Sequence, residues 1–395
     1  MISVAEARAT ILAHIERTKT EMLAIEACLG RTLGEPVRAA RAQPPFHASA
    51  MDGYAVRSAD TPGKLRLVGE AGAGHALQRS VGPGECARIF TGAPLPQGAD
   101  AIAIQEEVTR DGARIDTPAV APGKHVRAPG VDFPAGATLL EPGLVLSGAH
   151  LAVAAAAGRD AITVAVRPRI TILSGGDEIV APGAAARPDQ IFDCASFGVA
   201  GLAQAWGAAS TRGAILPDNA DFIAAAIETA SAASDLVVLI GGASVGDHDH
   251  ARRAVQSLGA DVLFDKVSLR PGKPTWFALR GKQPILGLPG NPGSALVAAR
   301  LFLRPLIAAM LGGDSAQTVE TRRAKLSATL PANGPREAYL RANTRIDQEG
   351  RLCVAAAANQ DSSLVSVFAA ANALIVCPAN ADARDVGDLA DIIEI

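Results

Sequence analysis

The stretch Leu236-Val237-Val238-Leu239-Ile240-Gly241-Gly242 decides the fold. Its unbroken apolar run is typical of a strand whose two faces are both covered by helices, as in a parallel sheet. The two glycines end the strand, and a helix is predicted to begin near Asp249. Strand, glycine loop and helix together predict one unit of an open α/β sheet, in which ligands bind beyond the carboxyl ends of the strands.

Strands and helices alternate on both sides of this unit, which predicts a largely parallel, doubly wound sheet over residues 169–316. A further apolar strand is expected at Ile285 to Leu288. The other predicted elements are strands at Ile170 to Leu173, Ala209 to Leu216 and Asp235 to Ile240, and helices at Ala195 to Trp206, Asp221 to Ala233 and Asp249 to Leu258.

The flanking sequence predicts further domains, so the expected class is a multidomain α/β plus β protein. Ser3 and Glu6 have capping-box spacing, and the apolar period that follows predicts an amphipathic helix from Ser3 to Arg17. Short β-prone runs punctuated by glycine and proline predict an all-β insertion. The expected divisions are an N-terminal helix packing on the α/β domain (1–20), a linking domain (21–40 and 138–168), the β-rich insertion (41–137) and a small C-terminal β domain (317–395).

The composition argues against a nucleic-acid-binding, secreted or membrane-spanning protein. The chain has 395 residues, 49% of them hydrophobic, and a formal net charge of -3, so it lacks the broad basic face that nucleic-acid binding requires. The start has no signal-peptide pattern, and no apolar run reaches the roughly 20 residues of a membrane span. Five scattered cysteines without a C-x-x-C pair favour a reducing cytoplasm. We expect a cytoplasmic protein without a membrane anchor.

Two glycine-containing loops carry the expected chemistry. Backbone N–H groups at Gly241, Gly242, Ser244 and Gly246, followed by a helix, favour a bound anion. Asp247 and His248 stand where an ATP-binding P-loop needs Lys and Ser or Thr, which excludes a P-loop here. The second loop, Ser174-Gly175-Gly176-Asp177-Glu178, also joins small residues to acids. The carboxylates suit a hard cation such as Mg²⁺, and both loops are expected at one sheet edge.

Basic and rigid segments complete the candidate site. Lys266, Arg270 and Lys273 surround a Pro-Gly turn and are interpreted as an anion clamp, although a solvated surface explains each one singly. Pro289 and Pro292 stiffen a loop suited to packing under a flat ligand. The Asp52-Gly53 pair by itself favours a hairpin turn, and His248 with His250 leaves a zinc site as a minor alternative.

Taken together, these segments resemble the molybdopterin molybdenumtransferase family, the MoeA type that includes the E domain of gephyrin. The resemblance rests on motifs that span most of the chain. They are Ser49-Ala-Met-Asp-Gly-Tyr-Ala55, Thr91-Gly-Ala-Pro94, Gly130-Val-Asp132, Ser174-Gly-Gly-Asp-Glu178, Gly241-Gly-Ala-Ser-Val-Gly246 with Asp249, Pro271-Gly-Lys-Pro274 and Gly287-Leu-Pro-Gly-Asn-Pro292.

The resemblance implies a homodimer with a shared active site, whose α/β domain binds adenylylated molybdopterin. The implied enzyme inserts molybdate into the dithiolene and releases AMP, with a divalent cation, taken as Mg²⁺. The implied catalytic acids are Asp249, Asp218, Glu178, Asp52 and Asp132, of which the first three would hold the metal. The implied ligand-binding residues are Thr91, Arg127, Ser174, Gly175, Asp177, Gly241, Gly242, Ser244, Gly246, Lys266, Arg270, Lys273, Pro289 and Pro292.

Two departures and two alternatives accompany this interpretation. Arg270 stands where the family leads us to expect Lys, and Ser362-Ser363 where a Gly-Ser pair is usual. A scaffold of the gephyrin E-domain kind would bind peptide without catalysis. Another nucleotide-dependent pterin transferase would share the α/β fold, but the insertion and the β tail argue against it. The molybdopterin adenylyltransferase is a candidate delivery partner.

Overall fold

The computed structural model describes residues 1–242 and 250–395. Helix α1, Val4–Leu12, begins with the predicted capping box of Ser3 and Glu6 and buries Val4, Ala7 and Ile11. These side chains join the core of the α/β domain. The predicted extension to Arg17 is wrong, because the chain turns after Leu12 and the backbone N–H of Thr18 donates to the Met310 carbonyl at 2.8 Å.

Two strands, β1 (Thr20–Ala24) and β2 (Val37–Arg38), lead into the insertion. The insertion is all β, as predicted, apart from short 3₁₀ turns at Ser58–Asp60 and Gln105–Glu107. It contains a six-stranded sheet in the order β7-β4-β6-β5-β9-β8 and a separate β3–β10 pair. Its strands are β3 (Ala48–Ser49), β4 (Gly53–Val56), β5 (Gly63–Ala71), β6 (Glu85–Ile89), β7 (Ala101–Ile104), β8 (Thr109–Asp111), β9 (Arg114–Thr117) and β10 (Val126–Arg127).

The hairpin expected at Asp52-Gly53 is wrong. The strand before it, β3, pairs with β10, whereas the strand after it, β4, pairs with β6 and β7. Gly53 serves a different purpose, since a Cβ there would lie 2.1 Å from the Ala103 carbonyl oxygen of the neighbouring strand. The glycine therefore permits a close approach of two backbones.

The chain returns through β11 (Thr138–Leu140), α2 (Gly148–Ala156) and β12 (Ala161–Ala165). β11 pairs with β2, and β12 pairs with β1, both antiparallel. These pairs join the two linking segments around a small core of their own. The insertion is thus attached through a separate unit rather than directly to the α/β domain.

The α/β domain has the predicted doubly wound architecture, with the sheet order β16-β13-β17-β21-β20-β18. The first four strands are parallel, whereas β20 and β18 add an antiparallel edge. Its elements are β13 (Arg169–Gly175), β14 (Ile179–Val180), β15 (Ile191–Phe192), α3 (Ala195–Ala205), β16 (Ala209–Leu216), α4 (Ala220–Ala233), β17 (Leu236–Ile240), α5 (His250–Ser257), β18 (Asp261–Phe264), β19 (Leu269–Arg270), β20 (Trp276–Arg280), β21 (Gln283–Leu288), α6 (Pro292–Ala298) and α7 (Arg304–Met310).

Helices α6 and α7 form one continuous helix through a π-helical segment at Ala299–Leu303. Pro305 has no N–H for the regular bond four residues back, which accounts for the irregular turn. Within the described residues this helix, Pro292–Met310, is long and apolar enough to cross a membrane, but 83% of an apolar 18-residue stretch of it is buried inside the protein. Such burial is typical of a core helix.

The C-terminal β domain is a closed barrel. β23, β24, β22, β26 and β25 follow one another, and a pairing of β25 with β23 closes the ring. The longest strand of this domain, β23, is absent from the sequence-based prediction, because its polar and apolar residues do not alternate strictly and include Arg341 and Arg345. The elements, after a 3₁₀ turn at Gln317–Val319, are β22 (Arg322–Leu326), β23 (Glu337–Ile346), β24 (Leu352–Ala356), α8 (Val365–Ala370), β25 (Ala373–Cys377) and β26 (Leu389–Glu394).

Candidate active site

Three loops meet at the carboxyl edge of the parallel strands. Gly175 ends β13, Gly241 follows β17 and Gly290 follows β21. Gly241 has a φ of 83°, and a Cβ there would lie 2.6 Å from the Gly175 carbonyl oxygen. Only glycine tolerates both the left-handed backbone and this approach. The expected convergence of the two glycine loops is therefore present in the structure.

The loops enclose an acidic cavity of about 540 Å³. Asp177, Glu178 and Asp218 line it, as do Gly241 and Gly242. The backbone N–H of Asp218 donates to Asp177 Oδ1 at 3.2 Å, so the two acidic loops are bonded to each other. Sequence reasoning named all of these residues, and the fold brings them together.

Ser174 is held by a residue that the sequence analysis missed. Its hydroxyl donates to Asp193 Oδ2 at 2.9 Å, and Asp193 also accepts the backbone N–H and hydroxyl of Ser196 at the start of α3. Asp193 is buried. An acid three residues before Ser196 is a helix-start signal that would have identified it. The bond fixes the orientation of Ser174 at the cavity wall.

Three predicted residues, Ser244, Gly246 and Asp249, lie outside the described residues. Among the residues that the structure does describe, no group of three metal-ligating side chains is close enough to hold an ion. Glu178 and Asp218 remain as two carboxylates at one cavity. The Glu178 carboxylate folds over Gly176, where a Cβ would lie 2.6 Å from its Oε2.

A larger cleft of about 1270 Å³ adjoins the acidic cavity and shares Glu178 and Gly290 with it. Arg270 and Lys273 line this cleft, together with the prolines of the rigid loop, Pro289 and Pro292. Both basic side chains are exposed, and neither forms an ion pair with any residue in 1–242 or 250–395. Lys266, the third predicted clamp residue, lies outside the described lining of both cavities.

The opposite wall of the cleft belongs to the C-terminal domain. Asn291 Nδ2 donates to Ser362 Oγ at 2.9 Å, and a Cβ on Gly293 would lie 2.8 Å from the Ser362 carbonyl oxygen. The segment around Ser362, called the tail segment below, therefore packs directly on the loop that contains Pro289 and Pro292. Sequence reasoning left the role of this segment open.

Arg341 holds the tail segment in place through hydrogen bonds to the two residues that precede Ser362. Its guanidinium is fully buried and donates to Gln360 Oε1 at 3.2 Å and to the Asp361 carbonyl at 2.9 Å. Burial lowers the pKa of Arg341. A buried arginine in a β-strand carries no local signal, because its partners lie about twenty residues further along the chain. Sequence reasoning missed it for that reason.

The predicted residues of the insertion form a separate group. Asp52 Oδ1 accepts the backbone N–H and the hydroxyl of Thr91, both at 2.8 Å. These hydrogen bonds, with a smaller contribution from the charge of Arg88, hold the pKa of Asp52 below its ordinary value. Arg127 and Asp132 are exposed. The described lining of the two cavities includes no residue of the insertion, 41–137.

The fold and its two adjoining cavities define a class of α/β enzyme with a ligand site at the sheet edge. The sequence matches the MoeA N-terminal region (domain I and II) over residues 2–158, a probable molybdopterin binding domain over 171–309 and the MoeA C-terminal region (domain IV) over 323–395. The chain belongs to the MoeA family of molybdopterin molybdenumtransferases.

Individual relatives cover almost the whole chain. The molybdopterin molybdenumtransferase of Nostoc sp. is 34% identical over 91% of this chain and 85% of its own length. That of Haemophilus influenzae is 32% identical over 95% and 94%. A crystal structure of a molybdopterin biosynthesis MoeA protein from Pyrococcus horikoshii has a TM-score of 0.86 at 28% identity, covering 100% of this chain and 99% of its own.

Proposed function

We propose that this chain acts in molybdenum cofactor biosynthesis, as a molybdopterin molybdenumtransferase that inserts molybdate into adenylylated molybdopterin and releases AMP. The observation that carries the proposal is the junction of the two cavities. An acidic cavity at the glycine loops opens at Glu178 and Gly290 into a basic cleft walled by prolines. A substrate with a phosphoanhydride and a flat pterin requires both environments.

In this proposal, different residues of the chain bind the phosphates, attract the anionic substrates and pack against the pterin ring. Backbone N–H groups of the glycine loops donate to phosphate oxygens. Arg270 and Lys273, whose charges are free of ion pairs within the described chain, attract the anionic substrate and molybdate. Pro289 and Pro292 offer an apolar surface for the ring. The scaffold alternative is less favoured because a peptide-binding role does not require this set of acids and bases.

The acids fit a magnesium ion that is completed by substrate. Mg²⁺ usually takes one or two carboxylates and several phosphate or water oxygens, so a full protein cage is not required. We infer that Glu178 and Asp218, with Asp249 from beyond the described residues, would hold it. The ion would neutralise charge on the departing phosphate. Asp177 positions Asp218 through the bond to its backbone N–H.

We further propose a cytoplasmic homodimer in which the insertion of one subunit completes the site of the other. Support comes from the separation within one chain: Asp52, Thr91, Arg127 and Asp132 lie outside the described lining of the two cavities. A closed two-fold dimer would return the insertion to the partner's site. The substrate would be delivered by the molybdopterin adenylyltransferase.

The test measures AMP release from adenylylated molybdopterin with molybdate and Mg²⁺. Asp218→Asn is expected to lower the rate by about two orders of magnitude or more, since each tenfold corresponds to only about 1.4 kcal/mol of lost transition-state stabilisation. Asp221→Asn is the matched control, because Asp221 is a nearby acid that does not line the cavity. Turnover of Asp218→Asn within a few-fold of wild type would remove the metal assignment.

A second measurement separates this activity from the alternative transferase. Incubation with ATP and free molybdopterin is expected to give no adenylylated product. Formation of that product at a rate comparable to AMP release would favour the alternative.

A further inference from the structure

A third cavity, of about 980 Å³, lies where the segment after α1, the linking domain and the end of α7 meet. It shares no described lining residue with the two cavities of the candidate active site. Its walls come close through glycines: a Cβ on Gly143 would lie 2.7 Å from the Gly312 carbonyl oxygen. None of the functional residues considered above lines this cavity.

Two arginines without partners line the cavity. Arg304 is half-buried, and this burial lowers its pKa, yet within residues 1–242 and 250–395 its guanidinium meets no carboxylate and no hydrogen-bond acceptor. Arg17 is likewise unpaired in the described chain, and its Nε lies 3.6 Å from the ideal Cβ position of Gly312. A guanidinium offers five donors, so a desolvated one without a partner favours an external acceptor.

Thr32 gives an independent indication. It is only 4% exposed and lines the cavity, but its hydroxyl makes no hydrogen bond to any described residue. The hydroxyl oxygen itself keeps some accessible surface, unlike the fully enclosed unpaired atoms of the described chain. A ligand oxygen that enters the cavity can therefore accept a hydrogen bond from the Thr32 hydroxyl.

Neither of the two acids that line the cavity, Glu141 and Asp314, is paired with Arg17 or Arg304 within the described chain. Asp314 Oδ1 already accepts the backbone N–H groups of Ala316 and Gln317, at 2.9 and 3.3 Å. Glu141 is exposed at the edge of the cavity. We propose that this cavity binds a phosphate group, free or as the ester of a small molecule, through Arg17, Arg304 and Thr32. Guanidinium pairs match phosphate oxygens in geometry as well as charge.

Fluorescence offers a local readout, because the chain has two tryptophans and one of them, Trp206, lines this cavity. The other, Trp276, is buried. Titration with sodium phosphate, and separately with ribose 5-phosphate, is expected to change the Trp206 emission saturably, whereas sodium chloride at matched ionic strength is not. A tighter response to ribose 5-phosphate would identify an ester as the ligand, and an equal or weaker one would identify free phosphate.

Variants assign the response to the cavity. Arg304→Gln, Arg17→Gln and Thr32→Val are each expected to weaken phosphate binding, the arginine variants by about tenfold or more. Arg17 is exposed, so Arg17→Gln keeps the proposal testable even if Arg304→Gln does not fold. Arg114→Gln is the matched control, since Arg114 is an exposed arginine of the insertion. The response should persist in the Arg270→Gln/Lys273→Gln double variant, which disables the active-site cleft.

Three results would overturn the proposal. The first is an absence of any saturable response to either phosphate compound. The second is an unchanged affinity in both Arg17→Gln and Thr32→Val. The third is loss of the response in the double variant with these cavity residues intact, which would place the bound phosphate in the active-site cleft.

Discussion

At the scale of single residues, the charge of Asp52 depends on Thr91. The backbone N–H and hydroxyl of Thr91 are the main reasons that the pKa of Asp52 is low. We expect Thr91→Val to raise that pKa toward its ordinary value, because one of two donors to the charged form is lost. Titration of the Asp52 carboxyl by NMR measures the shift, and Thr91→Ser, which keeps the hydroxyl, is the control.

The same bond predicts the direction of a pH effect. A carboxyl whose folded-state pKa is depressed contributes stability that is present above its unfolded pKa and is lost as the pH falls through the folded value. The melting temperatures of wild type and Thr91→Val should therefore differ most near neutral pH and converge in acid. A difference that grows as the pH falls would contradict this assignment.

The basic residues of the cleft give the second prediction at this scale. Arg270→Ala and Lys273→Ala should each weaken binding of the adenylylated pterin by about 1.5 to 3 kcal/mol, and the loss should shrink at high salt. Calorimetry at two salt concentrations measures both effects. Lys282→Ala is the control, because Lys282 is an exposed lysine paired with Glu16 away from the cleft. Unchanged affinity would show that Arg270 and Lys273 are ordinary solvated surface residues that do not bind the substrate.

At the scale of elements, the contact between the two glycine loops is the most demanding feature of the site. Gly241→Ala places a methyl group 2.6 Å from the Gly175 carbonyl oxygen on a backbone of positive φ. Gly259→Ala has a similar φ of 68° but nothing within 4 Å, so it costs only the backbone strain, roughly 1 to 2 kcal/mol. We expect Gly241→Ala to cost roughly 1 to 3 kcal/mol more, through the clash.

Thermal melting of both glycine variants tests this difference. Gly241→Ala should also weaken binding of the adenylylated pterin, since the loops can no longer approach, whereas Gly259→Ala should bind as wild type does. Equal melting temperatures for the two variants would show that the close approach is not a constraint.

Sequence patterns predicted best the elements whose ends are marked by local turn residues. The strand Ala209–Leu216 matches its predicted bounds, because Gly207 precedes it and Pro217 follows it. The strand Glu337–Ile346 was missed, since its fit depends on pairing with strands on both sides and on a buried arginine. The prediction of a hairpin at Asp52-Gly53 was wrong, because the glycine is required by the close approach of the Ala103 carbonyl, fifty positions away in the sequence.

At the scale of the whole molecule, the candidate site depends on contacts that no sequence window contains. The loops at Gly175, Gly241 and Gly290 were predictable, because consecutive parallel strands place their carboxyl ends at one edge. The cleft between the α/β domain and the barrel was not, since it depends on the contact of Asn291 with Ser362, 71 residues apart. The family resemblance identified the insertion residues, but within one chain the described lining of the two cavities includes none of them.

The last prediction tests whether a dimer brings Asp52 of one subunit to the active site of the other subunit. In a dimer with shared sites, an Asp52→Ala subunit and an Asp218→Ala subunit together make one site with both acids intact and one site with neither. Differently tagged subunits, co-expressed and purified as heterodimers, should therefore release AMP at about half the wild-type rate per dimer. Each parent homodimer, purified in the same way, should be inactive and is the control. Heterodimers as inactive as both parents would place Asp52 and Asp218 in the site of the same subunit. In that arrangement one site of the heterodimer carries Asp52→Ala and the other carries Asp218→Ala, so neither site is intact.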